Sequence, residues 1–287
     1  MLDALTFSAA SPPFLGSRPV ASPDVVILGA PLDLTETFRS GTSAAPQRIR
    51  LVSDCLETYS PSLGRDLQDI ALSDWGDLDL ADRPMAEALD VVEAAARTAA
   101  TRALPIVLGG EHTLTLGVVR GLMPRYPQLA VVQIDAHLDL ADEYDGKKVS
   151  HATVARRVSE TVGPMALVQV GARSGTRVEF EYAAECLYSS SGLSLPAFVF
   201  EELKSRPVYL SIDIDVLDPA FAPGTGCPEP GGYSFRDLTA FLAALASLTV
   251  VGVDIVEVLP AIDVGDITSV AAAKLVRELA LMFASRR

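Results

Sequence analysis

Residues 207–215 have the sequence Pro-Val-Tyr-Leu-Ser-Ile-Asp-Ile-Asp, in which a mostly apolar run leads directly into two aspartates. Similar short runs, rich in β-branched residues, occur at residues 24–29, 105–110, 129–135, 166–171 and 249–254. Continuous hydrophobicity is typical of strands that are buried on both faces, as in a parallel sheet. Helical patterns separate the runs, at residues 86–102, 150–160, 198–205, 234–247 and 268–284. This alternation predicts an α/β protein, a three-layer α/β/α sandwich with a mostly parallel central sheet.

The length of 287 residues suits one α/β domain with a large core. No internal repeat, low-complexity tract or Gly/Ser linker divides the chain. We therefore expect a single domain over residues 1–287, in which residues 1–22 form an N-terminal extension. The Pro- and Gly-rich residues 219–232 are expected to form one long ordered loop.

The composition excludes several classes of function. A formal net charge of -14 makes nucleic acid a poor partner. The negative charge would attract cations to the surface, and more often it serves solubility. Three cysteines without a CxxC pair favour a reducing compartment over a disulfide framework. The first residues lack the pattern of a signal peptide, and no apolar stretch approaches the roughly 20 residues needed to span a bilayer. We expect a cytoplasmic protein that does not bind membranes.

Residues able to bind metals follow the apolar runs. Asp135, His137 and Asp139 alternate after one run, and Asp213 and Asp215 repeat this spacing after another. An extended backbone would point alternate side chains the same way, and the carboxyl ends of parallel strands share one edge of the sheet. We therefore expect these side chains to converge. The chain's three histidines, His112, His137 and His151, all lie within one 40-residue window.

Each motif alone could supply helix caps and loop salt bridges, since aspartate often caps helices. Together the motifs would bury several carboxylates that repel one another, and divalent cations are the simplest compensation. Carboxylates and imidazoles without a thiolate suit a cation such as Mn²⁺ better than a structural zinc. The number of candidate ligands exceeds the need of one ion and predicts two. The predicted ligands are His112, Asp135, His137, Asp139, Asp213 and Asp215.

An ordered set of segments resembles the ureohydrolase family, the arginases and agmatinases. The segments are residues 109–113, 135–139, 150–153, 211–232 and 254–260. The resemblance covers nearly the whole chain. It implies a hydrolase that uses two Mn²⁺ ions to release urea from a small cationic guanidino compound.

The resemblance also implies the role of each residue. One ion would be held by His112, Asp135, Asp139 and Asp213, and the other by Asp135, His137, Asp213 and Asp215. Asp139 would orient the attacking hydroxide and accept its proton. Glu257 would pair with the substrate guanidinium, and His151 would relay protons at the mouth of the site. From spacing alone, Glu257 could equally be a strand-end acid and His151 a helix-start residue.

The substrate is less closely defined. Residues 140–149 contain no asparagine of the kind that arginases use to recognise the α-amino acid group, so the chain resembles the agmatinase branch. Agmatine, converted to putrescine in polyamine biosynthesis, is the expected substrate, with aminopropylagmatine or a guanidino acid as alternatives. The acidic Asp142, Glu143 and Asp145 favour a distal amine, whereas Lys147 and Lys148 oppose it.

Three residues depart from the common family pattern: Glu111, Ala152 and Cys227. We expect Glu111 to fix the tautomer of His112. A metal-dependent deacetylase is the alternative from another class of function, but such enzymes use a tandem histidine pair, which this chain lacks. A non-catalytic relative is a second alternative. The resemblance further implies a homo-oligomer, a trimer or a hexamer.

Overall fold

The computed structural model describes residues 7–284, and its main feature is a nine-stranded sheet. The strands are β1 (Phe7–Ser8), β2 (Val25–Ala30), β3 (Tyr59–Ser60), β4 (Arg65–Asp66), β5 (Leu72–Leu78), β6 (Leu104–Gly109), β7 (Ala130–Ile134), β8 (Leu167–Val170), β9 (Tyr188–Ser190), β10 (Pro207–Asp213) and β11 (Thr249–Val256). The order in the sheet is β1-β5-β2-β6-β11-β10-β7-β8-β9, and β3 pairs with β4 separately. Only β1 runs antiparallel to its neighbour within the described part of this sheet.

Helices cover both faces of the sheet. They are α1 (Ala45–Ser53), α2 (Met85–Ala100), α3 (Leu114–Leu122), α4 (Val154–Val162), α5 (Arg177–Ala183), α6 (Ala197–Lys204), α7 (Phe235–Ala244) and α8 (Ile267–Phe283). One apolar core lies between the sheet and α1, α6, α7 and α8, and a second lies between the sheet and α2 to α5. Alternate residues of β10 pack into different cores: Leu210 packs in the first core, and Tyr209 packs in the second. The predicted three-layer α/β/α sandwich is confirmed.

The elements predicted from hydrophobicity are present, most with their ends shifted by one or two residues. The predicted start of α7 is also confirmed, since Ser234 and Asp237 form a reciprocal capping box there. Sequence patterns did not reveal the helices α1, α3 and α5 or the strands β1, β3, β4, β5 and β9. In β5 the polar Asp74 is buried because it pairs with the buried guanidinium of Arg50 at 2.8 Å. Hydrophobicity alone therefore does not predict this strand, because its polar residue is stabilised by an ion pair with another element.

The N-terminal residues contact the sheet. Residues 1–6 of the predicted extension lie outside the described part of the chain. Beyond them, Phe7 pairs with Leu78 in β5, and Phe14 is fully buried while its backbone N–H donates to Asp74 at 2.9 Å. Residues 7–14 thus pack against the domain. The division of the chain at residue 22 stays a prediction.

Parallel strands bring the site residues to one edge of the sheet. The register pairs Ile212 of β10 with Ile134 of β7, and Asp213 with Val256 of β11. The segments that follow β6, β7, β10 and β11 therefore leave the sheet at the same level. Within residues 7–284, no helix combines the length and apolar character needed to cross a membrane.

Candidate metal centre

The six predicted ligands converge at the carboxyl edge of the sheet. The Nδ1 atom of His112 lies 3.2 Å from an Asp135 oxygen, 3.1 Å from an Asp139 oxygen and 3.4 Å from an Asp213 oxygen. This nitrogen is buried yet makes no hydrogen bond. A buried ring nitrogen that faces three carboxylates without a hydrogen bond fits a metal ligand better than a structural histidine.

A second group lies beside the first. His137 Nδ1 is 2.8 Å from an Asp215 oxygen and 3.8 Å from an Asp135 oxygen. Two clusters able to hold a cation result, His112 with Asp135 and Asp213, and Asp135 with His137 and Asp215. Asp135 belongs to both, as expected of a bridging carboxylate. The chemistry of these donors, oxygen and imidazole nitrogen without sulfur, fits divalent cations.

The local backbone orients these carboxylates. Asp135 accepts the backbone N–H of His137 at 2.6 Å, and Asp213 accepts that of Asp215 at 2.8 Å. The alternating spacing produces the convergence, but not through the continuous extended backbone that we expected. β7 ends at Ile134, and Asp139 has a left-handed φ of 54°. The expectation of one extended segment was wrong because the chain turns at Asp139, which brings its carboxylate back toward His112.

The electrostatics of the site are those of crowded, buried carboxylates. Burial and the negative charge of Asp135 raise the pKa of Asp139 to about 7. Burial and its carboxylate neighbours also raise the pKa of Asp213 well above its usual range. Burial alone would lower the pKa of His137, but Asp215 and Asp135 raise it to about 11. Crowded, buried carboxylates of this kind need compensating positive charge, which divalent cations can supply.

Glu257 and His151 line a cavity of about 600 Å³. Five of the six candidate ligands, all except Asp135, line the same cavity. Glu257 follows β11, has a left-handed φ of 66°, and accepts the backbone N–H of His112 at 2.6 Å. His151 is half-buried next to the loop after β2, and its backbone N–H donates to Thr35 Oγ1 at 3.1 Å. Both residues therefore line one cavity, and their predicted roles stay predictions.

The loop after β2 was missing from the sequence-based description of the site. The hydroxyl oxygen of Thr35 lies 3.3 Å from His151 Nδ1, and the hydroxyl oxygen of Thr37 lies 3.5 Å from His151 Nε2. Glu36 lines the cavity between them. The segment carries no metal-binding motif, so only the fold brings it to the site. In the loop of residues 219–232, Cys227 reaches the cavity.

Comparisons with known proteins agree with this geometry. Residues 23–282 match the Arginase family. The chain is 42% identical over 275 residues to an agmatinase of Bacillus anthracis, covering 93% of this chain and 95% of that protein. Among solved structures it is similar to the agmatine ureohydrolase of Thermoplasma volcanium, with a TM-score of 0.82, 34% identity, and 91% and 90% of the two chains covered. The proclavaminate amidino hydrolase of Streptomyces clavuligerus gives a TM-score of 0.84 at 31% identity, covering 95% and 96%.

The chain belongs to the arginase family. The predicted ureohydrolase resemblance is confirmed, and with it the enzyme class: the protein is an amidinohydrolase. Arginase-family enzymes depend on metals, and the two overlapping Asp/His clusters are the groups that could hold them here.

In this arginase-family enzyme, the partner of His112 is not the one we expected. Glu111 was expected to fix the His112 tautomer, but its carboxylate accepts the backbone N–H groups of Leu34 and Thr35 at 2.8 and 2.6 Å. The Nε2 atom of His112 instead lies 2.9 Å from Ser211 Oγ, whose hydroxyl donates to Asp254 at 2.7 Å. The Glu111 expectation was wrong because Glu111 holds the loop after β2.

Asp254 completes a buried network behind the ligands. Its second oxygen accepts the hydroxyl groups of Thr115 at 2.6 Å and Tyr209 at 2.5 Å, and the residue is fully buried. Partners of this kind orient a ligating imidazole and increase its basicity. The alternation of side chains along a strand could have indicated part of this network, since Tyr209 and Ser211 lie two residues apart on the same face of β10.

Proposed function

We propose that this enzyme hydrolyses agmatine to putrescine and urea with two Mn²⁺ ions. The observation that carries the proposal is the unpartnered, buried His112 Nδ1 among three carboxylates, in a cavity that also contains Glu257. The similar proteins described as agmatinases support the substrate, and the oxygen and imidazole donors support manganese.

The proposed ligand sets are those that the family resemblance implies. His112, Asp135, Asp139 and Asp213 would hold one ion. Asp135, His137, Asp213 and Asp215 would hold the other. The two observed clusters share Asp135 and are consistent with this assignment.

The chemistry that the two cations supply is the acidification of a water molecule for attack on the guanidinium carbon. Asp139 would orient this water and accept its proton, since its carboxylate is nine-tenths buried at the floor of the cavity. Glu257 would accept two parallel N–H bonds from the planar guanidinium. Burial lowers the pKa of His151 to about 4. A neutral His151 would accept a proton at the mouth of the site and relay it to the leaving amine.

The cavity mouth favours a substrate with a distal positive charge. Asp142 and Glu143 line the cavity, whereas Lys147 and Lys148 face a separate groove and do not line it. Asp142 pairs with Arg157 at 2.6 Å, but Glu143 forms no ion pair with any residue of the described chain. Glu143 can therefore meet the terminal ammonium group of agmatine.

The test is urea release by the purified, manganese-loaded enzyme from agmatine, aminopropylagmatine, arginine and guanidinobutyrate, each with a chelator control. Chelator-sensitive release that is fastest from agmatine supports the proposal. Faster release from another compound would reassign the substrate. N-acetylputrescine serves as an amide control, because acetate release from it without any urea would favour the deacetylase alternative.

A further inference from the structure

Glu36 brings a second acidic group to the place where Glu257 would meet the substrate. Glu36 and Glu257 both line the cavity of the candidate metal centre. One oxygen of each lies about equally far from a Cβ placed on Gly226, at 3.7 Å for Glu36 and 3.9 Å for Glu257. The loop after β2 and the end of β11 thus place two acids side by side in the cavity.

Two acids at this spacing are unfavourable without a bound cation, because buried carboxylates that lie close together repel each other. Burial, with the negative charges of Glu111 and Asp33, raises the pKa of Glu36 to about 7. A planar cation with N–H groups on several edges can satisfy both acids.

The position of Glu36 is built into the fold. Thr42 Oγ1 donates to one Glu36 oxygen at 3.4 Å, and Asp33 closes the loop by accepting the backbone N–H of Gly41 at 2.6 Å. Glu111 holds Leu34 and Thr35 from the other side. Glu36 therefore reaches the cavity from a segment that is tied down on both sides of it.

Asp33, Glu36 and Glu111 also lie close enough together to suggest a cation site. Glu111 already accepts three hydrogen bonds from the loop, and Asp33 accepts one from Gly41. These bonds give both carboxylates a role in holding the loop. Glu36 is the member of this group that also lines the cavity.

We propose that Glu36 is a specificity-determining residue that, with Glu257, forms a two-carboxylate clamp for the substrate guanidinium. The inference rests on the proposed function, because it assumes a guanidino substrate. Glu257 accepts N–H groups from one edge of the guanidinium, and Glu36 accepts N–H from an adjacent edge. The second carboxylate strengthens binding of the cation and contributes little to the attack by water.

The test compares Glu36→Gln with wild type in the manganese-loaded enzyme. Glutamine has the same shape and can still accept the Thr42 hydroxyl, but it carries no negative charge. Loss of one charge-assisted hydrogen bond predicts a KM for agmatine that rises roughly 10- to 100-fold, with kcat within about threefold of wild type. Glu36→Asp keeps the charge with a shorter reach, and its KM is expected to lie between the two. Glu181→Gln, an exposed change of the same charge on α5, is expected to leave both constants unchanged.

Inhibition separates the clamp from a structural effect. The guanidinium ion should inhibit Glu36→Gln at least tenfold more weakly than wild type, whereas neutral urea should inhibit both alike. An unchanged KM in Glu36→Gln, or equal loss of inhibition by guanidinium and urea, would overturn the clamp.

Binding of guanidinium chloride, followed by calorimetry, distinguishes this proposal from the proposed function. A wild-type enzyme that releases no urea but binds guanidinium in a Glu36-dependent way would support the clamp and contradict the proposed agmatine hydrolysis. Urea release with binding that is independent of Glu36 would contradict the clamp alone.

Discussion

Replacing Ser211 by alanine tests whether the buried network behind His112 controls metal binding. Ser211 Oγ is 2.9 Å from His112 Nε2 and donates to Asp254 at 2.7 Å. His112 and Ser211 are each 1% exposed, and Asp254 is fully buried. Water therefore cannot easily replace the lost hydroxyl. In Ser211→Ala the His112 N–H loses its partner, and Asp254 loses one of three donors.

Two effects of different size follow. Partners that orient a metal-binding histidine typically change metal affinity about 10- to 100-fold, which corresponds to roughly 1.4 to 2.7 kcal/mol. An unsatisfied buried N–H also costs roughly 1 to 3 kcal/mol of folding free energy. We expect Ser211→Ala to need at least about tenfold more Mn²⁺ for half-maximal binding and activity. The assays are Mn²⁺ titration against a competing chelator and urea release at increasing Mn²⁺.

Tyr209→Phe is the matched control, because it removes a different hydroxyl donor from Asp254 and leaves the bond between Ser211 and His112 intact. This variant should lose stability in denaturant unfolding but keep its Mn²⁺ affinity within about threefold of wild type. If both variants lose stability equally and neither loses Mn²⁺ affinity, the network only supports folding, and the argument for orientation of His112 is wrong.

Three further predictions concern the acids and thiols of the cavity. Asp213→Ala should lose bound manganese, measured by metal analysis, together with urea release; full activity would refute its assignment as a ligand. Because the pKa of Glu36 is raised from 4.5 to about 7, its contribution to stability is complete below pH 4.5 and is lost as pH rises to about 7. In chelator-treated protein, Glu36→Gln should therefore gain stability over wild type by up to about 3 kcal/mol between pH 4.5 and 7.5, measured by urea unfolding; a difference independent of pH would contradict this. Iodoacetamide should label exposed Cys55 readily and Cys186 slowly, since burial raises the pKa of Cys186 to about 11, and agmatine should slow labelling of Cys227 in the cavity, as peptide mass mapping would show.

Much of the architecture follows from local patterns in the sequence. β10 and β11 are buried on both faces, so their hydrophobicity is continuous and easily recognised. β5 is different because Asp74 and Asp77 are stabilised there by Arg50, a residue of α1 that is distant in sequence. A local sequence pattern cannot predict a strand whose polar residues are stabilised by a partner from another element.

The same division separates the predicted from the unpredicted parts of the site. Asp135 and His137 lie in one short segment, and Asp213 and Asp215 lie in another. Their spacing alone therefore predicts that they bind metal together. Glu36 enters the cavity because β2 lies next to β6 in the sheet, although the two strands are separated by more than 70 residues of sequence. Its role depends on strand order, which hydrophobic periodicity does not specify.

The acids of the site fall into two groups according to what can compensate their charge. Asp135 and Asp213 face the imidazole of His112, where cations with fixed coordination can neutralise them. Glu36 and Glu257 both approach Gly226, and Glu257 accepts the backbone N–H of His112. In the proposed mechanism, cations held at the first group would leave the second group without a compensating cation until a cationic substrate binds. The pocket would then hold metal ions and still attract a guanidinium, because the two kinds of cation would satisfy different carboxylates.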